Sequence, residues 1–339
     1  MSEAPTRPQL HVTHVQRLPH PGNFSVEQIF ANVRAHMPLD IDVSVAILPR
    51  RSQGFWPRMV NMWSARRRQH GIAHVTGDVH YVTALMRPRD TMLTILDLVP
   101  LHRRRGLRRT LMLWAWYRIP VARASVVTTI SGFIREEVIA ATGCAPDKVH
   151  VVHVPTSDRF RPIPRRFRAA DPRILMIGTA WNKNFARQIE ALAGLPCEVA
   201  FVGRLSEEHE AALAAHGISY RAHRDLTDDE MMQQYVDCDV LLFASTYEGF
   251  GMPIVEANAV GRPVVTSRTA SMPEVAGDAA CLVDPHDVAS IRAGLERVLH
   301  DGAYRDALVE RGYLNARRFT AALAAERYAA LYRAMRARA

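Results

Sequence analysis

Residues 240–257 read VLLFASTYEGFGMPIVEA, and few folds accommodate that string. Val240 to Phe243 is a short apolar run, consistent with a strand buried on both faces of a parallel sheet. Gly249-Phe250-Gly251 then forces a loop, and Pro253 stands where the first turn of a helix tolerates a missing N–H. A strand, a glycine-bearing loop and a helix start, in that order, offer unpaired amides and partial positive charge to an anion. Two carboxylates flank the loop, Glu248 before it and Glu256 near the first helical turn. In one uninterrupted helix their spacing would place them about two turns apart. The loop breaks that geometry, so both can converge on one ligand. Taken alone, the two glutamates are equally well explained as an ordinary strand-to-helix turn with an acidic start, which the helix dipole favours.

The rest of the chain supports this reading by alternation. Strands are expected at Leu10–Val15, Ile41–Leu48, Ile72–Val75, Met92–Leu96, Ser125–Ile130 and Val149–Val154, with helix-compatible stretches between them. A second alternating set opens at Arg173–Ile177 and continues through Val199–Val202, Ile218–Arg221 and Val240–Phe243. Ser131 reads as the start of one helix, and Ser25 with Gln28 and Thr227 with Glu230 as capping boxes of two others. Between the two sets, Pro155 to Pro172 holds four prolines and several arginines, the composition of an interdomain linker. A length of 339 residues fits two domains. Their expected bounds are 1–155 and 173–318, with 156–172 as linker and 319–339 as a terminal helix buried through Tyr328, Leu331 and Tyr332.

Charge is unevenly placed. Residues 1–150 hold 20 lysines and arginines against 10 acids, while the remainder holds 23 against 24. That asymmetry points to an anionic partner for the first half: nucleic acid, an anionic membrane surface or an acceptor on a lipid diphosphate. No nucleic-acid recognition motif accompanies it. Arg103-Arg104-Arg105 and Arg108-Arg109 lead into LMLWAWYR and, if that is a helix, crowd its N-terminal end, the wrong end for the dipole. Leu107, Leu111 and Trp114 form a stripe beside them, so the stretch reads either as an interfacial contact with anionic lipid or as a basic surface over a core stripe. The N-terminus shows no secretory pattern, no run reaches the ~20 apolar residues of a membrane span, and Cys144, Cys197, Cys238 and Cys281 show no paired spacing. A cytoplasmic protein with reduced cysteines is expected, peripheral on the inner face of the membrane if the arginines bind lipid.

The string SxYEGFGxPxxEA, together with SMPEVAG and the run to Asp284-Pro285, resembles the signature of retaining glycosyltransferases of family 4. The resemblance is strong over 173–285 and continues through TILDLVPLH and TTISGFIREEV. It implies the GT-B fold, α/β with two Rossmann-like domains facing across a cleft, the last helix crossing back to the first. It implies transfer of a hexosyl group, mannosyl among the options, from a nucleoside-diphosphate sugar such as GDP-mannose or a UDP-hexose to a polysaccharide or lipid-linked oligosaccharide. Relatives need neither cofactor nor metal. Asp40-Ile41-Asp42 has the form of the metal motif of the other glycosyltransferase fold, but the second aspartate reads as a solvent-facing strand alternate.

Carried over residue by residue, the resemblance places Glu248 at a hydroxyl of the donor sugar and Glu256 at the ribose hydroxyls. Amides of Gly249, Phe250, Gly251 and Met252 would add donors. Gly178 and Thr179 open the first loop of the second domain, where Lys183 matches the lysine that holds the donor diphosphate. The residue before it, commonly arginine, is Asn182 here. Arg187, four residues on and on the same face if the helix has begun, or Arg204 after the next strand, would supply a second positive charge. The loop at His223 and Arg224 corresponds to the nucleobase side. On the acceptor side Asp97 matches, Leu96 replaces the family histidine, His80 is either its substitute or a structural loop histidine, and the glycine-rich first loop is reduced to Gly22. Those departures leave room for a second class of function, a non-catalytic nucleotide-sugar or polyanion binder on the same fold.

Overall fold

The structure, a computed structural model, describes residues 10–19 and 25–338. The turn expected around Gly22 and the side-chain cap expected from Ser25 lie outside the described residues. The chain divides into two compact units, Met1–Pro155 with Ala321–Ala339, and Thr156–Thr320.

The first unit is built on six parallel strands: β1 (Leu10–Gln16), β2 (Ile41–Ile47), β3 (Ile72–Val75), β4 (Thr91–Ile95), β5 (Val126–Thr129) and β6 (Val149–Val151), in the order β2-β1-β3-β4-β5-β6. Every residue of β3, β4 and β5 is buried, which is why these strands read as apolar and threonine runs, broken only by His74, rather than as alternating ones. The helix Ala321–Ala337 belongs to this unit, burying Tyr328, Ala329, Tyr332 and Met335 against Phe30, Val33, Met92 and Val126. Its Tyr332 hydroxyl lies 3.0 Å from His14 Nε2 and 2.6 Å from His74 Nδ1. Asp40 pairs with Arg333 at 2.7 Å and Asp42 with His11 at 2.8 Å, so both acids of the Asp40-Ile41-Asp42 run have structural partners.

Two helical segments of this unit depart from the usual inward apolar face. In Phe55–Arg67 only Asn61 and Ala65 are buried. Asn61 accepts from the Arg50 amide and donates to the Arg50 carbonyl and the Tyr81 hydroxyl. The aromatic residues that mark the helix in the sequence therefore lie on its outer side. The Leu107–Trp114 stretch is helical from Gly106 to Met112, passes through a π-helical turn at Leu113–Arg118 and continues to Arg123.

The second unit also has six parallel strands: β7 (Arg173–Ile177), β8 (Glu198–Val202), β9 (Ser219–His223), β10 (Val240–Phe243), β11 (Val264–Ser267) and β12 (Cys281–Val283), in the order β12-β11-β10-β7-β8-β9. The chain runs outward from β7 to β9, then returns to β10 on the other side of β7. The order reverses between β7 and β10, and such a reversal leaves a crevice at the carboxyl ends of the two strands, where ligands of open α/β sheets bind.

The 156–172 segment, expected as a linker, is strapped onto this second unit. The buried Asp239 carboxylate takes Arg168 Nε at 2.8 Å and the Arg173 amide at 2.7 Å. The Arg262 guanidinium donates to the Ile163 carbonyl, and Phe167 lies beneath Arg305. The Thr227–Glu230 capping box forms, and Ser131 caps its helix by accepting from the Ile134 amide. A further box uses Ser206 with His209 in the position usually held by glutamate, which sequence reasoning did not single out.

Candidate functional site

The loops after β7 and β10 meet at the reversal point. After β7 the backbone turns through Gly178, whose φ is +87°. A β-carbon there would lie 3.0 Å from Lys183 Cε, so the bare glycine gives the lysine chain its path. Trp181–Lys183 form a short 3-10 turn, and Asn184 stands in the left-handed region at φ 57°. Asn184 is held there by donating to the Ala244 and Pro285 carbonyls, and Gln188 accepts from the Ala244 amide. The turn carrying Lys183 is thus fastened to the end of β10.

After β10 the chain presents Glu248. Lys183 Nζ lies 2.8 Å from Glu248 Oε1 and 4.5 Å from the centre of the Phe243 ring. Asn182 Nδ2 donates to the Tyr247 carbonyl at 2.7 Å and to the same Glu248 oxygen at 3.2 Å. The Thr246 amide donates back to the Asn182 carbonyl. Ser271 Oγ donates to the Glu248 and Phe250 carbonyls at 2.8 and 2.7 Å, fixing the loop's backbone from below. Gly251, at φ 106°, turns the chain into the helix Met252–Val260. The Gly249–Met252 stretch therefore leads into a helix start at the switch point, the arrangement suited to an anionic group.

Glu256 is the fifth residue of that helix, just past its first turn. Its Oε2 accepts from the Tyr235 hydroxyl at 2.5 Å. Loss of water around the carboxylate raises its pKa to about 7, against the Tyr235 hydrogen bond, which favours the ionised form. Thr179 Oγ1 donates to the Arg204 carbonyl at 3.1 Å, joining the β7 and β8 loops, while the exposed Arg204 guanidinium sits 3.8 Å from Asp225.

Arg187 corrects its expected place. The helix begins at Phe185, after the left-handed Asn184, so Lys183 and Arg187 do not share a helix face. Arg187 instead bonds Asn184 Oδ1 at 3.1 Å. Asn182, Tyr235 and Ser271 were not singled out as site residues in the sequence. Asn182 was noted only as the absence of an arginine. A neutral amide there can donate to Glu248 without competing with Lys183 for charge.

His80 and Asp97 lie in the first unit, near the carboxyl ends of β3 and β4. His80 is buried and opens a 3-10 helix, rather than lying in an open loop. Its Nδ1 faces the Trp116 carbonyl at 3.1 Å, and burial lowers its pKa to about 4, so the ring is neutral at ordinary pH. Asp97 Oδ1 accepts from the Val99 amide at 3.0 Å, and burial raises its pKa. Tyr117 links the two, edge-on to His80 at 5.6 Å and donating to the Asp97 carbonyl at 3.3 Å.

Comparison with known proteins places this geometry. Residues 162–315 match the family described as Glycosyl transferases group 1. The chain is similar to the O-antigen chain mannosyltransferase B of Escherichia coli, 29% identical over 222 residues, which are 58% of this chain and 57% of that protein. It is also similar to the MMP alpha-(1->4)-mannosyltransferase of Mycolicibacterium hassiacum, 33% identical over 185 residues, 50% of this chain and 44% of that one. It thus spans less than two thirds of either relative's length. The fold is that of Anabaena HepE, solved in complex with UDP and glucose, with a TM-score of 0.76 at 15% identity over 96% of this chain and 100% of the other. The chain thus has the GT-B fold, and its residues 162–315 are similar to the glycosyl transferases group 1.

Proposed function

We propose that the protein is a retaining, metal-independent hexosyltransferase that moves a mannosyl group, or another hexose, from a nucleoside-diphosphate sugar to a polysaccharide or lipid-linked oligosaccharide. The observation that carries this reading is the Lys183–Glu248 pair at the β7/β10 reversal, 2.8 Å apart beside a glycine-bearing helix start. The names of the relatives favour mannose and hence GDP-mannose, and the ligand of the Anabaena structure keeps a UDP-hexose as the alternative.

In this reading the departing diphosphate takes Lys183 from Glu248. The ammonium then neutralises charge as it develops on the leaving group, and backbone donors of the Gly249–Met252 loop assist. Glu248, released from the lysine but still braced by Asn182, turns to a sugar hydroxyl near the reacting carbon. Glu256, set by Tyr235, accepts from the ribose hydroxyls. Thr179 and the Arg204 segment border the nucleotide, with the His223–Arg224 loop on the base side. The acceptor hydroxyl attacks on the face from which the diphosphate leaves, without an enzyme nucleophile, and its proton passes to the departing phosphate oxygen as the bond from the sugar to that oxygen breaks. His80, Tyr117 and Asp97 belong to the acceptor side. The Arg103–Arg109 stretch, as a contact with the anionic inner face of a membrane, completes the reading.

A panel of nucleotide sugars tested for thermal stabilisation, followed by incubation of the best binder with lipid-linked and polysaccharide acceptors, tests it. Stabilisation by one donor and a product with the donor's anomeric configuration is the expected result. Binding without turnover on any acceptor would make the protein a nucleotide-sugar binder instead.

A further inference from the structure

The helix Phe55–Arg67 keeps its polar Asn61 inside and its aromatic residues outside. Trp56 is 76% exposed and Trp63 53%; in the Gly106–Arg118 stretch Leu107 is 75% and Trp114 50% exposed. Phe55 and Leu111 extend the same kind of surface. The two elements are neighbours: the Arg58 guanidinium, on the helix, lies 4.8 Å from the centre of the Trp116 ring, in the π-helical turn, and Tyr81 packs against Trp116 at 5.1 Å. Residues 50–68 hold six arginines and residues 98–123 hold seven, with no aspartate or glutamate in either stretch. Two more arginines sit over tryptophans of this surface, Arg67 over Trp63 at 3.4 Å and Arg118 over Trp114 at 4.9 Å.

Tryptophans and leucines exposed together on neighbouring elements of a folded unit mark a contact. A second copy does not suit it, because a two-fold contact would set arginines against arginines. A nucleic acid would use the charge and stack on the rings, but has no use for exposed Leu107, Leu111 and Val60. Anionic lipid uses every part. Phosphate headgroups take the arginines, tryptophan rings settle at the headgroup level, and the aliphatic side chains enter the acyl boundary.

We propose that the helix Phe55–Arg67 and the segment Arg103–Arg118 form one lipid-facing surface that seats the first unit on an anionic bilayer. This deepens the membrane contact proposed above for Arg103–Arg109 and rests on it for the charge. It adds a second element and a different driving force, insertion of the Phe55–Arg67 aromatics. The protein is thereby placed beside acceptors held at the membrane surface.

The test is co-sedimentation of the full chain with vesicles of phosphatidylcholine alone and of equimolar phosphatidylcholine and phosphatidylglycerol. The wild type is expected to bind the anionic vesicles at least about tenfold more tightly. Raised salt should weaken but not abolish this binding, and tryptophan emission should shift to the blue. Trp56→Ser with Trp63→Ser should weaken binding to anionic vesicles about tenfold or more, while nucleoside-diphosphate stabilisation persists. Should that double variant fail to fold, the emission shift of the wild type decides, and its absence on anionic vesicles overturns the proposal. Vesicle binding that depends on Arg103–Arg109 but ignores Trp56 and Trp63 would leave the arginine contact standing and sink the two-element surface. A dimer in solution that the double variant dissolves, or duplex DNA binding without vesicle binding, would overturn it in favour of those partners. Intact vesicle binding without sugar transfer would instead remove the transferase reading and leave this surface in place.

Discussion

Lys183 and Glu248 are each other's counter-ion, 2.8 Å apart, on loops from two strands adjacent in the sheet but far apart in the chain. The pair is mostly buried, so losing one member strands the other's charge. Both Lys183→Ala and Glu248→Gln should lower kcat/KM by about 10²–10³-fold with the fold retained by circular dichroism. Because the two act as a unit, the double variant should be little worse than either single one. Simple addition of the two losses would show that they work independently.

Tyr235 is expected to set both the position and the ionisation of Glu256. The carboxyl has a pKa of about 7, and in the proposed reading its ionised form accepts from ribose. Donor KM should therefore rise as pH falls below about 7. In Tyr235→Phe the hydrogen bond that favours ionisation is gone, so the inflection should move to higher pH and donor KM at neutrality should rise several-fold, roughly the worth of one hydrogen bond to a charged group. A purely structural tyrosine would leave the inflection where it was.

Gly178→Ala forces a side chain into a φ of +87° and places its β-carbon 3.0 Å from Lys183 Cε. The strain should cost about 1–3 kcal/mol, read as a lowered midpoint in urea. Displacement of the lysine should lower transfer further than that loss accounts for. An active variant with an unchanged midpoint would contradict this account of the loop.

The His14–Tyr332–His74 cluster should make the protein sensitive to acid. Burial lowers the pKa of His14 well below its ordinary value and that of His74 to about 3. The unfolded chain therefore takes up these protons first. Stability from this source is complete above about pH 6.5 and falls towards pH 3, by up to about 1.4 kcal/mol per pH unit for each histidine. Thermal scans from pH 7 to 4 should show the decline. Tyr332→Phe should cost about 1–3 kcal/mol at neutral pH by leaving buried nitrogens without their hydroxyl.

The sheets were legible in the sequence because a strand buried on both faces must be apolar throughout. β10 begins and ends where its apolar run does, and the expected bounds of β3 and β7 also hold, although β3 carries His74 and β7 opens on Arg173. Glu248 and Lys183 were singled out for a different reason: Glu248 flanks the glycine-bearing loop, and both stand at positions that match the signature the chain resembles. What could not be read depended on backbone conformation or on distant contacts. Asn184 in the left-handed region separates Arg187 from Lys183, and nothing in the spacing announces it. Tyr235 reaches Glu256 from another helix, and Asp239 straps down a proline-rich segment that composition alone describes as a linker. Helical periodicity locates Trp56 and Trp63 on one face, but it does not say whether that face looks inward.

The Tyr332 hydroxyl lies between a histidine of the first strand and one of the third, although it is carried by the last helix. During synthesis, then, His14 must wait for a residue 318 positions later to leave the ribosome before its buried nitrogen is matched. The middle segment, Thr156–Thr320, is contiguous and has every strand of its sheet in hand first. Order of emergence and order of completion are thus reversed, and a nascent chain stalled before residue 321 would carry a finished second unit behind an unfinished first one.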